Sequence, residues 1–398
     1  MEKLKEKIKL LSSDYLKEII HLRQYLHQHP ELSFEEYKTS ALIKKKLEEF
    51  NIETSLLAGT GVVGVLRGKN PESKTIALRA DMDALPILEQ NHVSYKSVNE
   101  GVMHACGHDV HSASLLGAAK ILGEIRNEFE GTIKFVFQPG EEKLPGGASL
   151  MIEQGVLENP APESIFAQHV YPSMEAGKVG FKSGMYMAST DEVYITVKGK
   201  GGHGAMPHLN IDPVVISAHL IIAMQQLVSR NANPITPTVL SFGKVIANGA
   251  TNVIPNEVKL EGTFRTMDEL WRNQAHEKIK ALAKSLTESM GGTCEVNILK
   301  GYPFLVNDQV LTEKAKQNAE DYLGKQNVEE LDIRMTAEDF AFFSQKMPAC
   351  FYRLGTGNRS KNIVSPVHTD TFDIDESALE IGMGLMAWLT LCELKREI

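Results

Sequence analysis

Hydrophobic residues recur with two different periods along the chain, which predicts that helices alternate with strands. Apolar residues at helical spacing predict a first helix over about 12–28, which Pro30 ends. Leu42, Leu47 and Phe50 mark one face of a second helix. Further strands are predicted at 62–66, 75–78, 132–137 and 164–167, with a helix over 111–125. This alternation predicts an α/β fold whose mixed, mostly parallel sheet is sandwiched by helices.

The pattern changes near Gly184, where strands with alternating apolar and polar residues begin. The predicted elements are a strand around 193–197, a helix over 213–228, strands over 238–245 and 257–265, a helix over 268–290 and a strand over 294–299. This β-α-β-β-α-β order is the ferredoxin-like arrangement. We therefore predict a discontinuous first domain, 1–184 and 300–398, interrupted by an inserted ferredoxin-like α+β domain, 185–299. A predicted amphipathic helix, 376–393, closes the first domain.

Composition and charge restrict the classes of function. The chain has 398 residues, of which 42% are hydrophobic and 23% charged, as is ordinary for a globular protein of two domains. A net charge of −9 disfavours nucleic acid as a partner. Four scattered cysteines do not resemble a disulfide framework, and no signal peptide or bilayer-spanning apolar run is visible. These features predict a cytoplasmic protein.

The stretch Met103–His111 concentrates three histidines, a thiol and a carboxylate. Cys106 and His108 flank Gly107, so both side chains can point the same way from a tight loop. Sulfur beside imidazole nitrogen suits a zinc-like transition ion better than magnesium or calcium. The alternative, a buried free cysteine with surface histidines nearby, is equally compatible with this stretch taken alone.

Polar groups follow three predicted strands at the point where each strand ends. They are Arg79–Asp83, Glu141–Glu142 and His169. In open α/β sheets, ligands bind beyond the carboxyl ends of the strands. We therefore expect these groups to gather at one edge of the sheet and to form a site there.

Two adjacent acids, Glu141 and Glu142, suit a metal-assisted hydrolysis. Neighbouring side chains diverge in extended chain, so one carboxylate can bind a metal while the other faces a water and serves as a base. The alternative is a solvated acidic turn. For His169 and His368 the alternatives are a structural and a surface histidine, respectively. Together these groups complete a set of five candidate metal ligands: Cys106, His108, Glu142, His169 and His368.

The glycine-rich stretch Gly199–His208 lies in the predicted inserted domain. It lacks the Gly-Lys-Ser/Thr ending of a phosphate loop, which excludes nucleotide binding of that kind. Either a flexible turn that reaches into a cleft or a plain hairpin fits the pattern.

Six stretches of the sequence match motifs of a known family in the right order: His27–Ser33, Arg79–Pro86, His104–Asp109, Gln138–Glu142, Gly199–His208 and Asn252–Pro255. Together they resemble the M20 peptidase family, in particular its amidohydrolase branch. That branch includes hippurate hydrolases, N-acetyldiaminopimelate deacetylases and auxin-conjugate hydrolases. The resemblance spans essentially the whole chain.

The resemblance implies two divalent transition-metal ions per subunit, either zinc, manganese, nickel or cobalt. The five candidate ligands would bind them, with Cys106 in the bridging position that many M20 peptidases fill with aspartate. Glu141 would act as general base toward a metal-bridged hydroxide. Other family members have a metal-binding histidine where this chain has Arg79. We therefore expect Asp81 to support catalysis beside the ligands rather than to bind an ion.

The resemblance also implies that the inserted domain is a lid that forms a homodimer. His203 would reach the partner's active site and stabilise the oxyanion, while Asn252 and Arg265 would hold the substrate's carboxylate or carbonyl. The implied activity is hydrolysis of N-acyl amino acids such as N-acetyl or hippurate-like compounds. A dipeptidase or carboxypeptidase of the same fold and a non-catalytic amino-acid-binding module are the alternatives; a structural zinc protein fits poorly.

Overall fold

The computed structural model describes residues 1–395 and groups the chain into two compact units. The first unit contains Met1–Gly184, Val306–Asp332 and the chain from Phe342 onward. The second unit contains Met185–Leu305 and Ile333–Ala341. The predicted insertion, 185–299, lies within the second unit, and its boundaries as a separate domain stay a prediction. The end of the predicted first domain, 396–398, lies outside the described residues.

The α-helices of the described chain are α1 (Glu2–Gln28), α2 (Tyr37–Glu49), α3 (His108–Glu124), α4 (Gly147–Glu153), α5 (Pro213–Gln226), α6 (Glu269–Ser289), α7 (Gln309–Leu323), α8 (Ala341–Ser344) and α9 (Ala378–Leu394). The strands are β1 (Glu53–Leu57), β2 (Gly61–Arg67), β3 (Thr75–Asp81), β4 (Thr132–Gln138), β5 (Ser164–Glu175), β6 (Val179–Phe181), β7 (Gly184–Met187), β8 (Asp191–Lys198), β9 (Gly202–His203), β10 (Thr238–Ile246), β11 (Val253–Ile254), β12 (Glu257–Thr266), β13 (Thr293–Lys300), β14 (Leu305–Asn307), β15 (Val328–Glu330) and β16 (Ala349–Gly357). Within residues 1–395, no helix has both the length and the apolar character needed to cross a membrane.

The first unit is built on an eight-stranded sheet with the order β1-β2-β4-β3-β5-β16-β6-β15. The four neighbouring strands β4, β3, β5 and β16 run parallel, whereas β1, β2 and β6 make antiparallel pairs. The predicted mixed, mostly parallel sheet with helices around it is therefore confirmed. Because four parallel strands share one direction, their carboxyl ends meet at the same edge of the sheet.

Two strands are longer than predicted, which moves polar residues from loops into the sheet. Strand β3 continues past Leu78 to Asp81, where its last residue lies opposite Gln138. Strand β5 continues past Ala167, so His169 lies inside it. The predictions that Asp81 and His169 follow their strands are wrong, because both side chains find buried polar partners that allow strand pairing to continue.

Two helix predictions also need correction. Helix α1 begins at Glu2 rather than near residue 12, because Ile8 is fully buried and Lys5 is held by Asp321 of α7. Helix α9 is not amphipathic, since nearly its whole circumference is buried against α1, α3, α7 and the sheet. A helix that is apolar on all sides belongs in a core.

The second unit contains a four-stranded antiparallel sheet with the order β10-β12-β8-β13. Helices α5 and α6 provide the connections after β8 and β12, as the ferredoxin-like order predicts. Val193, Ile195 and Val197 point into the core of this unit, at alternate positions of β8. Asp212 caps α5 by accepting the backbone N–H of Val214 at 2.8 Å.

Candidate metal centre

The structure brings the five candidate ligands together in two groups of three. In the first group, ligand atoms of Cys106, His108 and His169 all lie within 4.8 Å of one another. In the second group, the same holds for Cys106, Glu142 and His368. The Cys106 Sγ atom lies 3.5 Å from His169 Nε2 and 3.3 Å from His368 Nε2. One thiol is therefore common to both groups.

The backbone around Cys106 explains this convergence. Gly107 has a left-handed conformation with φ of 83°, and a Cβ atom there would lie 2.5 Å from the Val170 side chain. Only glycine allows the chain to turn here, from Cys106 in the loop to His108 at the start of α3. On the opposite side, the backbone N–H of His368 donates to Ala105 O at 2.7 Å, which fixes the loop that carries this histidine.

Hydrogen bonds that Nδ1 donates orient the imidazoles of His169 and His108 so that Nε2 faces the other candidate ligands. His169 Nδ1 donates to Val170 O at 2.8 Å, and His108 Nδ1 lies 3.1 Å from Asp83 Oδ1. Metal-binding histidines are typically held in this way through their second nitrogen. Among residues 1–395, the buried His108 Nε2 atom has no hydrogen-bond partner; it lies 4.0 Å from Glu142 Oε1, which is 3.2 Å from His368 Nε2.

The donor set fits a divalent transition ion on chemical grounds. Burial raises the pKa of the Cys106 thiol, and the nearby Glu142 carboxylate raises it further. Hydrogen bonds to Cys106 and Glu142 raise the pKa of His368 to about 10. A bound dication reverses this balance, because it stabilises a thiolate and competes with the proton for imidazole nitrogen. Thiolate, imidazole and carboxylate together suit zinc and its neighbours.

Asp81 lies beside the ligands, with both of its oxygens engaged. Its Oδ1 atom lies 2.5 Å from His111 Nδ1, and its Oδ2 atom accepts from Arg79 Nη1 at 2.8 Å. The Nε2 atom of the candidate ligand His108 is 3.6 Å from Oδ2. Burial alone would raise the pKa of Asp81, but His108, His111 and Arg79 hold it well below its usual value. The carboxylate therefore stays charged.

Glu141 reaches the cluster from the loop that follows β4. Its carboxylate lies within 4.8 Å of ligand atoms of His108 and Glu142, and the residue is 7% exposed. The preceding Gly140 has φ of 57°, and a Cβ atom there would lie 2.4 Å from the ring of Phe34. Close packing of this turn thus aims two adjacent acids at the cluster.

The remaining predicted residues, His203, Asn252 and Arg265, all lie in the second unit. His203 is exposed in β9, and its Nδ1 atom accepts the backbone N–H of Ala205 at 3.0 Å. This bond leaves the proton of a neutral ring on Nε2. The backbone N–H of Gly204 donates to Asn252 O at 2.8 Å, so Asn252 is adjacent to this turn, whereas Arg265 is half-buried in β12. Their roles stay predictions.

Sequence reasoning assigned no individual role to three side chains that contact the candidate site. His111 contacts Asp81 and accepts the backbone N–H of Val170 at 2.9 Å, while the Ser33 hydroxyl donates to Asp83 at 2.6 Å. His111 could have been found, because it follows His108 by three residues and so lies on the same face of α3. No comparable pattern links Ser33 to Asp83.

A set of thiol, imidazole and carboxylate ligands at the carboxyl edge of an α/β sheet, with Cys106, His108 and His169 buried, is the arrangement of a metal-dependent hydrolase. Residues 77–390 match Peptidase family M20/M25/M40, and the chain belongs to this family. It is a metal-binding hydrolase that acts on amide bonds.

Relatives of known name are similar over most of their length. Thermostable carboxypeptidase 2 of Saccharolobus solfataricus is 39% identical over 395 residues, which cover 98% of either chain. N-acyl-L-amino acid amidohydrolase of Geobacillus stearothermophilus is 42% identical over 304 residues, which cover 76% of this chain and 81% of that protein. The crystal structure of a dinuclear metal binding peptidase of the M20 family from Bacillus subtilis superposes with a TM-score of 0.83 at 34% identity, covering 96% of this chain and 99% of the other.

Proposed function

We propose that the protein hydrolyses the amide bond of N-acyl amino acids at a centre of two divalent transition-metal ions. Cys106, His108 and His169 hold one ion, and Cys106, Glu142 and His368 hold the other. The observation that carries this proposal is the thiol of Cys106, which is common to both groups of ligands. The similarity to a dinuclear peptidase and to an N-acyl-L-amino acid amidohydrolase supports it.

Glu141 acts as the general base and then as the general acid. When bound, the ions polarise the amide carbonyl and lower the pKa of a water molecule. The Glu141 carboxylate lies within 4.8 Å of ligand atoms of Glu142 and His108, which belong to different ions of the proposed pair, and it is in neither group that contains Cys106. This carboxylate is therefore placed to accept the proton of the attacking water and to deliver it to the leaving amine nitrogen. Asp81 remains charged beside His108 and supports the ligands electrostatically.

Turnover of defined amides tests the substrate class. With zinc, manganese, nickel or cobalt added in turn, N-acetyl and N-benzoyl amino acids are expected to release free amino acid much faster than unblocked dipeptides do. The rival activity is that of a carboxypeptidase or dipeptidase, which the Saccharolobus relative favours. Faster cleavage of dipeptides would establish that rival instead. No turnover of either class with any of the metals would leave a non-catalytic binding module.

We further propose that the second unit is a lid and forms a homodimer, through which His203 serves the active site of the partner subunit. Helix α5 supports a dimer, because Val214, Val215 and Ile222 on its outer side are 40%, 48% and 72% exposed. Strand β10 is the edge of its sheet and can pair with a second copy. His203 is exposed and presents Nε2–H, a suitable donor to an oxyanion. Asn252 and Arg265 bind the carboxylate or carbonyl of the substrate.

Mixing two inactive variants tests the role of His203 across a dimer. Glu141→Gln and His203→Ala subunits are each expected to be nearly inactive. Their reassociated mixture is expected to regain about a quarter of wild-type activity, since about half of the dimers are mixed and one of two sites in each is intact. Differently tagged subunits verify that mixed dimers form. Mixed dimers without recovered activity would contradict catalysis across the interface.

A cytoplasmic location is also proposed. The free thiols of all four cysteines support it, because disulfides are rare in that compartment. The net charge of −9 fits a solvated cytosolic surface.

A further inference from the structure

A second buried carboxylate, Asp83, contacts residues of the candidate centre. Asp83 lies two residues beyond the end of β3 and is 1% exposed. Its Oδ1 atom lies 3.1 Å from His108 Nδ1. Its Oδ2 atom accepts the backbone N–H of Glu142 at 3.0 Å and the hydroxyl of Ser33 at 2.6 Å. Both oxygens are thus bonded, and two of the three partners are candidate ligand residues.

Of the two groups that contain Cys106, the two ligand residues that Asp83 contacts belong to different ones. His108 belongs with His169, and Glu142 belongs with His368. A charged carboxylate only accepts hydrogen bonds, so its contact makes His108 Nδ1 the donor and leaves Nε2 to bind an ion. The contact with the backbone N–H of Glu142 fixes the main chain from which the Glu142 side chain extends toward the ligand group.

We propose that Asp83 is the positioning residue of the metal centre. This single carboxylate fixes the imidazole of His108 and the main chain of Glu142 relative to each other, so that both ions bind tightly. This inference rests on the two-ion centre proposed above. The neighbouring Asp81 makes different contacts: its oxygens bond to His111 and Arg79, and it lies 3.6 Å from His108 Nε2 rather than against Nδ1.

Metal affinity of the Asp83→Asn variant tests the proposal. The amide has the same shape as the carboxylate but can accept only through its oxygen, so it cannot serve His108 and Glu142 together. In the full-length protein, the affinities for both zinc ions are expected to fall about 10–100-fold, measured by competition with a chromogenic chelator. Two ions per subunit are still expected at saturating zinc. The matched control is Ser33→Ala, which removes the third contact only and is expected to change affinity less than about threefold.

A structural role for Asp83 would give a different result. It would lower the melting temperature of the metal-free protein and leave zinc affinity within about threefold of wild type, which would overturn the proposal. Loss of affinity for one ion alone would also overturn it. If Asp83→Asn does not fold, Asp83→Glu carries the test, because it keeps the charge but displaces the carboxylate, and the same loss is expected. Failure of the wild type to bind two ions would instead refute the proposed function.

Discussion

Glu141→Gln is expected to lower kcat by about 10²–10⁴-fold while both ions remain bound. Glutamine has the shape of glutamate but cannot accept the proton of the attacking water. Glu141 lies near His108 and Glu142 but shares no group with Cys106, so its loss should leave the ligand set intact. The measurement is kcat on an N-acyl amino acid, together with elemental analysis of the same preparation.

The adjacent Glu142→Gln variant is the matched control for Glu141→Gln. It makes the same chemical change one residue away, in a group that also contains Cys106 and His368. This variant is expected to lose bound metal as well as activity. Near-normal turnover by Glu141→Gln, or loss of metal from it, would contradict the assignment of Glu141 as the base.

Cys106→Ala is expected to lose bound metal and activity together. The Sγ atom lies 3.5 Å from His169 Nε2 and 3.3 Å from His368 Nε2, and it is the only ligand atom among the described residues that occurs in both groups. Its removal therefore takes one donor from each ion. Elemental analysis after dialysis against a low concentration of metal measures the loss.

Cys350→Ala provides the control for the cysteine substitution. Cys350 is likewise buried, in β16, and belongs to neither ligand group. This variant is expected to keep two ions per subunit and to show only a modest loss of stability. Unchanged metal content in Cys106→Ala would contradict the ligand role of its thiol.

The sequence predicted the elements of the fold better than their ends. Apolar runs identified β3 and β5, but Asp81 and His169 resembled residues that follow a strand. Asp81 contacts His111 30 positions away, and His169 Nε2 contacts Cys106 63 positions away. The start of α1 was missed for a similar reason, since Lys5 is stabilised by Asp321 across 316 positions of the chain. Contacts of this kind depend on the tertiary arrangement, which local patterns do not record.

Cys106, His108 and Glu142 could be predicted because they lie in two recognisable motifs, 104–109 and 138–142. His169 and His368 lie outside the motifs and were added as isolated histidines, and the structure brings all five together. The residues that hold those ligands could not be predicted. Asp83 contacts Ser33, His108 and Glu142, which come from three separate segments. Hydrogen-bond partners of ligands are defined by geometry rather than by spacing, so they appear only once the sheet edge and the loops around it have been assembled.

Anomalous diffraction from crystals of the zinc-loaded protein tests the two-ion centre most directly. Data on both sides of the zinc absorption edge locate each ion without reference to activity. Two peaks per subunit are expected, each with the Sγ atom of Cys106 at about 2.3 Å and with Glu141 outside both coordination shells. A single ion, or two ions that do not share Cys106, would contradict the proposed centre.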